Sequence, residues 1–156
     1  MAIKMTHSDT FRCSPQQLWP WIDDDEKSKQ WLKGLEEIRP VSGGPKRPGY
    51  EAKMFIREGR KLSEYDVTYL AYEPNKRLRM KSVGGCGKGA EFICDYELVD
   101  LHDGRTRVDF GCEVNSTSRV LRLLSPLFKL FSRMMLKRFL RKLKELAEGG
   151  TVRAAH

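Results

Sequence analysis

The chain is poor in the residues that build metal centres. Its 156 residues hold four cysteines (Cys13, Cys86, Cys94, Cys112) and three histidines (His7, His102, His156). The cysteines are scattered and no Cys-x-x-Cys pair occurs, so reduced, packed thiols are expected and neither a metal nor a cofactor is. No apolar run approaches the ~20 residues that cross a bilayer, and the first ten residues are polar, so a soluble cytoplasmic protein is expected. There is no internal repeat and no low-complexity linker. A chain of this length buries roughly two thirds of the surface its unfolded form exposes. One domain over residues 1–148 is expected, followed by a disordered tail over 149–156.

Charge is abundant but uneven. The net charge is +8. Between Arg119 and Glu148 nine basic residues face only Glu145 and Glu148, so the rest of the chain is nearly neutral. That helix-like stretch is expected to pack its apolar face on its own domain with its basic face solvated; the sharper alternatives are contact with an anionic membrane surface or with a protein. Nucleic acid is disfavoured, because the basic residues are not interleaved with aromatics and no groove-reading motif occurs.

Periodicity supplies the architecture. After a first strand over Ile3–Phe11, Ser14-Pro15 forms an N-cap with proline at the first helical position. Leu18, Trp19, Trp21 and Ile22 make the apolar side of that short helix. Asp23, Asp24, Asp25 and Glu26 mark the mouth of a second, where negative charge suits the helix dipole; a catalytic carboxylate cluster is the sharper alternative. Turn signals then separate six strands: Leu35–Val41, Tyr50–Ile56, Lys61–Tyr72, Arg77–Val83, Ala90–Leu101 and Arg105–Val114.

The last strand is the clearest: Thr106, Val108, Phe110, Cys112 and Val114 fall on one face and Arg107, Asp109 and Glu113 on the other. Phe92, Cys94, Tyr96 and Leu98 repeat the pattern, as do Tyr65, Val67 and Tyr69. Short links imply an antiparallel meander with one covered face. The cover is a helix that Ser125-Pro126 either starts or kinks within a longer helix from near Arg119, and that Gly149-Gly150 ends; from Pro126 to Ala147 it spans about 33 Å, enough to cross the sheet. Its apolar stripe rotates beyond Met135, so the helix bends there or its halves face different partners.

The glycine-rich stretch Gly84-Gly85-Cys86-Gly87-Lys88-Gly89 is no phosphate loop, since it lacks Gly-x-x-x-x-Gly-Lys-Ser/Thr and joins two strands. Candidate inward polar groups are Ser82, Cys94, Tyr96, Thr106 and Cys112, with Tyr65 and Tyr69 if their parity is right. No inward histidine or carboxylate emerges to serve as an acid or base, and no catalytic residue is assigned.

Several of these features together resemble a known superfamily. Phe11-x-x-Ser14-Pro15-x-x-Leu18-Trp19-x-x-Ile22-x-Asp24, then Trp31, Pro74-x-Lys76-Arg77-Leu78, Gly104-x-Thr106-x-Val108 and Leu143-Lys144-x-Leu146-x-Glu148 are similar to START-like, helix-grip proteins. The likeness is to their polyketide cyclase/dehydrase and lipid-transport branch, and it spans nearly the whole chain. It implies an α+β fold in which a curved antiparallel sheet of about seven strands wraps the long C-terminal helix, with two short helices after the first strand.

A cavity for a lipid, sterol or polyketide-like molecule would lie between sheet and helix. Binding or transport is the expected function, with a cyclase or dehydratase as the enzymatic alternative. The expected lining is Tyr65, Phe92, Cys94, Tyr96, Phe110, Phe128, Phe131 and Met135. Lys129, Arg133, Lys137 and Arg141 are the candidate contact with a membrane or other anionic surface.

Overall fold

The computed structural model describes residues 2–84, 90–115 and 125–154. Strand β1 (Ala2–Phe11) leads into helices α1 (Pro15–Asp23) and α2 (Asp25–Ser28). Strands β2 (Leu35–Pro40), β3 (Glu51–Glu58), β4 (Lys61–Glu73), β5 (Arg77–Gly84), β6 (Glu91–Asp100) and β7 (Thr106–Asn115) follow, and helix α3 (Ser125–Ala154) closes the fold. Every strand lies within two residues of its sequence-based bounds. The glycine-rich stretch 85–89 lies outside the described residues.

The sheet is antiparallel throughout, ordered β1-β7-β6-β5-β4-β3-β2. Consecutive strands from β2 to β7 pair as neighbours, while the α1–α2 segment carries the chain from one edge of the sheet to the other. Register shifts at Leu35/Glu37 and Tyr69/Ala71 mark irregularities in β2 and β4. Such bulges bend a strand and raise its twist, and so help curve the sheet around its inner face. At the end of β5, Gly84 has φ 130° and a Cβ there would stand 2.5 Å from the Glu64 carbonyl oxygen, so only glycine fits.

Both short helices begin as their sequences dictate. Ser14 and Gln17 form a capping box, with the Ser14 hydroxyl accepting from the Gln17 N–H and Gln17 Oε1 accepting from the Ser14 N–H. Asp24 caps α2, its Oδ1 accepting from the N–H groups of Glu26 at 2.9 Å and Lys27 at 3.0 Å.

One core contains Phe11, Leu18, Trp19, Trp31, Tyr69, Leu78, Tyr96, Val108 and Phe110 together with Leu140, Leu143 and Ala147 of α3. The last three sit at i, i+3 and i+7, one stripe of a helix. Among the described residues α3 rests on β1 and α1. Lys144 pairs with Asp9 at 3.3 Å, and Glu148 accepts the Arg12 N–H at 2.8 Å.

The described residues bear on two expectations for this helix. Among its described side chains Leu130, Met134 and Met135 are exposed and the first fully covered one is Leu140, so the described part of the stripe before Met135 faces solvent and the part beyond it enters the core. The helix also continues through Gly149 and Gly150 to Ala154, into the stretch expected to be a disordered tail. Gly149 lacks the positive φ of a C-cap; glycine weakens a helix by about 1 kcal/mol without forbidding its dihedrals.

Leu143 is fully buried where α3 meets the core. Leu143→Ala should lower the unfolding free energy by about 3 kcal/mol, read by urea denaturation, whereas Leu130→Ala should change it little.

Candidate functional site

The inner face begins with the two-residue period. Across the strands it carries the row His7, Phe110, Tyr96 and Leu78, and beside it Met5, Cys112, Cys94 and Met80. Over one end of this face the α1–α2 segment forms a roof. The Ser28 hydroxyl donates to the carbonyls of Ile22 and Asp24, and the Trp31 indole N–H donates to the Trp21 carbonyl at 2.7 Å. These bonds satisfy the buried polar groups of a tight turn and aim Trp31 at the sheet, where its ring meets Tyr96 edge-on at 6.3 Å.

Beneath the roof lies a cavity of about 40 Å³, walled by residues that include Ile22, Trp31, Leu32, Ile38, Ala52, Met54, Val67, Leu78 and Met80. Its polar contributors are Asp25, Ser28, Tyr69 and Tyr96. That volume accommodates a few water molecules. A lipid-sized molecule must also use the inner face beyond the roof, where Met80, Phe92, Cys94 and Cys112 remain half-buried.

A charged corner adjoins the cavity. The Lys46 ammonium donates to Asp25 Oδ1 at 2.9 Å and to the Asp23 carbonyl, and lies 3.6 Å from Asp23 Oδ1. The Tyr72 hydroxyl donates to Asp23 Oδ1 at 3.0 Å. Burial alone would lower the Lys46 pKa, but the Asp25 hydrogen bond and the carboxylate charges of Asp25 and Asp23 outweigh it and raise it. Lys46 therefore stays charged and is no amine nucleophile. Burial pushes the Tyr69 phenol up to about 12, so it remains a hydrogen-bond donor. The Asp23 to Glu26 run thus caps a helix and anchors a lysine.

The expected site residues separate into groups. Tyr96 borders the cavity, 4.8 Å from the Phe110 ring. Tyr65 packs against Phe92 at 6.2 Å, farther along the inner face. Cys94 faces Cys112 with sulfurs 3.9 Å apart. Met135 is 38% exposed on α3 and does not border the cavity. The side chains of Phe128, Phe131 and Lys129 lie outside the described residues. Arg133, Lys137 and Arg141 are exposed.

His7 and Asp9 correct the expectation that no histidine or carboxylate faces inward. Both share the face of Ile3, Met5 and Phe11, with His7 opposite Phe110 and Asp9 opposite Val108. The alternation Ile3, Met5, Phe11 carried that signal in the sequence. Asp25 borders the cavity from the roof, which strand alternation does not reach.

A curved antiparallel sheet gripping a terminal helix, with a small apolar cavity under two short helices, defines a helix-grip protein. The chain belongs to the family described as polyketide cyclase/dehydrase and lipid transport, whose pattern matches residues 2–148. No curated protein matches it in sequence. Among solved structures it is similar to a protein of unknown function from Staphylococcus aureus, with TM-score 0.76, 13% identity and coverage of 97% of this chain and 96% of that one. An aromatase/cyclase from Streptomyces sp. R1128 matches with TM-score 0.73 and 9% identity, covering 95% and 94%. Norcoclaurine synthase from Thalictrum flavum, solved with dopamine and hydroxybenzaldehyde, matches with TM-score 0.68 and 13% identity, covering 96% and 88%. Identities this low establish the shared fold. Among the described residues no helix is long and apolar enough to cross a membrane.

Two buried groups set an alkaline limit on stability. Burial, with the Glu148 carboxylate adding, pushes the Cys13 thiol up to about 11 from 9.0, and the Tyr69 phenol rises from 10.0 to about 12. Between these values the unfolded chain sheds protons that the folded one keeps, so the contribution is intact below pH ~9 and falls by up to about 1.4 kcal/mol per pH unit per group. Urea midpoints should fall from pH 9 to 12, with tyrosinate absorbance lagging that of free tyrosine; midpoints constant over that range would contradict the assignment.

Proposed function

We propose that the protein binds and carries a hydrophobic or amphipathic small molecule on the inner face of its sheet. The observation that supports this most is that Met54, Met80, Phe92, Cys94 and Cys112 face inward yet remain half-buried. Apolar surface left wet costs about 25 cal/mol per Å², and an apolar guest recovers that cost by covering it. Tyr65, Phe92, Cys94, Tyr96 and Phe110 would line the guest's path. The Tyr96 phenol, held protonated by burial and by the nearby thiols, would donate to a polar group on it.

Protein isolated gently should carry a near-stoichiometric apolar or amphipathic mass in native mass spectrometry. Ala52→Trp fills the cavity and should lower affinity for a fluorescent fatty acid by at least about tenfold with the far-ultraviolet dichroism unchanged. A clean apo mass together with no binding of the probe would overturn the reading.

A second reading, that α3 touches an anionic membrane surface during ligand exchange, is supported by its first half. Leu130 and Met134 are exposed one turn apart, and Arg133, Lys137 and Arg141 are exposed around and beyond them. A helix with apolar and cationic positions facing solvent suits an interface of anionic headgroups. The protein should sediment with vesicles containing anionic lipid and release as salt rises, and glutamines at Arg133, Lys137 and Arg141 should abolish sedimentation. No sedimentation at low salt would dispose of this second reading.

A further inference from the structure

Four sulfur-bearing side chains lie in one line across the inner face. Met5 on β1 stands opposite Cys112 on β7, Cys112 opposite Cys94 on β6, and Cys94 opposite Met80 on β5. Directly opposed residues of antiparallel strands share a face with Cβ atoms about 5 Å apart, so the four form consecutive rungs. The two thiol sulfurs are 3.9 Å apart, against ~2.05 Å in a disulfide. Cys94 and Cys112 are half-buried, as is Met80, while Met5 is covered.

The spacing fits one shared atom. Two metal–sulfur bonds of ~2.3 Å drawn from sulfurs 3.9 Å apart enclose roughly 115°, close to a trigonal angle. Among the described residues no cluster of three or more His, Cys, Asp or Glu side chains is placed to hold a metal, so zinc lacks the donors it takes. Thiolate and thioether donors in an apolar setting are instead the set that selects copper(I). The long, unbranched Met80 side chain sits one rung from Cys94 and can swing its sulfur toward the pair.

We propose that Cys94 and Cys112, with the Met80 thioether as third ligand, form a site for one soft monovalent cation of the copper(I) class. The ion replaces the two thiol protons, which pass to solvent, and no electrons are exchanged. Met5 shields the site on the β1 side. The site shares the inner face with the proposed guest but does not depend on that guest's existence.

The test uses the full-length reduced protein titrated anaerobically with copper(I) held by a colorimetric chelator. One ion per chain should transfer to the protein. Transfer should vanish in the Cys94→Ser/Cys112→Ser variant, persist in Cys86→Ser, and weaken roughly tenfold in Met80→Leu. Serine on the inner face can disturb folding, so the unsubstituted protein supplies a second readout. One equivalent of silver(I) should protect Cys94 and Cys112, together, from iodoacetamide in peptide mass spectrometry. Less than one copper(I) per chain, copper(I) retained by the double serine variant, alkylation of the two thiols unaffected by silver(I), or a Cys94–Cys112 disulfide formed in place of the complex would each overturn the proposal.

Discussion

The seating of the C-terminal half of α3 on β1 and α1 governs what the rest of the sheet is free to do. Leu140, Leu143 and Ala147 enter the core there, and the Asp9–Lys144 ion pair and the Glu148 bond to the Arg12 backbone set the helix against the first strand. Of these, burial of the leucines is the larger effect, since an exposed or half-exposed ion pair contributes at most about 1 kcal/mol. On the inner faces of β5, β6 and β7, Met80, Phe92, Cys94 and Cys112 remain half-buried. Full coverage of these four side chains would turn the same surface into ordinary core.

The roof obeys a different rule. It is held by polar bonds within a short segment, from Asp24, Ser28 and Trp31, and it is tied by Lys46 to the turn between β2 and β3. Such bonds are directional and fix a particular shape, whereas apolar contacts tolerate repacking. One wall of the cavity is therefore built of interlocked hydrogen bonds and the opposite wall of adaptable side chains, Met54 and Met80 among them. Adaptation to guests of different outline belongs to the methionine side.

Much of the fold was legible because strand alternation and turn residues are local. Thr106 to Val114 read correctly from their own period, as did the capping pair Ser14 and Gln17, whose spacing falls within one helical turn. What was not legible depended on separations the sequence does not display. The meeting of Cys94 and Cys112 is a matter of register across a hairpin, and the approach of Lys46 to Asp25 joins two unrelated loops. The exposure of Met135 depends on where a long helix sits, which its own periodicity leaves open. His7 was a different kind of omission: the alternation of β1 contains it, and only the absence of an obvious partner concealed it.

The neighbour relation of β1 and β7 imposes an order on the birth of this protein. Ala2 pairs with Asn115 and Phe11 with Thr106, so β1 finds its hydrogen-bonding neighbour, among the described strands, in β7, which is made roughly a hundred residues later. Until then its backbone donors and acceptors are satisfied by water, and its apolar side, Ile3, Met5 and Phe11, has no sheet to join. Loop closure over roughly a hundred residues must precede that pairing, which makes it a slow and late event in folding. During synthesis β2 to β6 can zip in sequence while β1 waits, an unpaired strand for which cellular holding factors are the natural company.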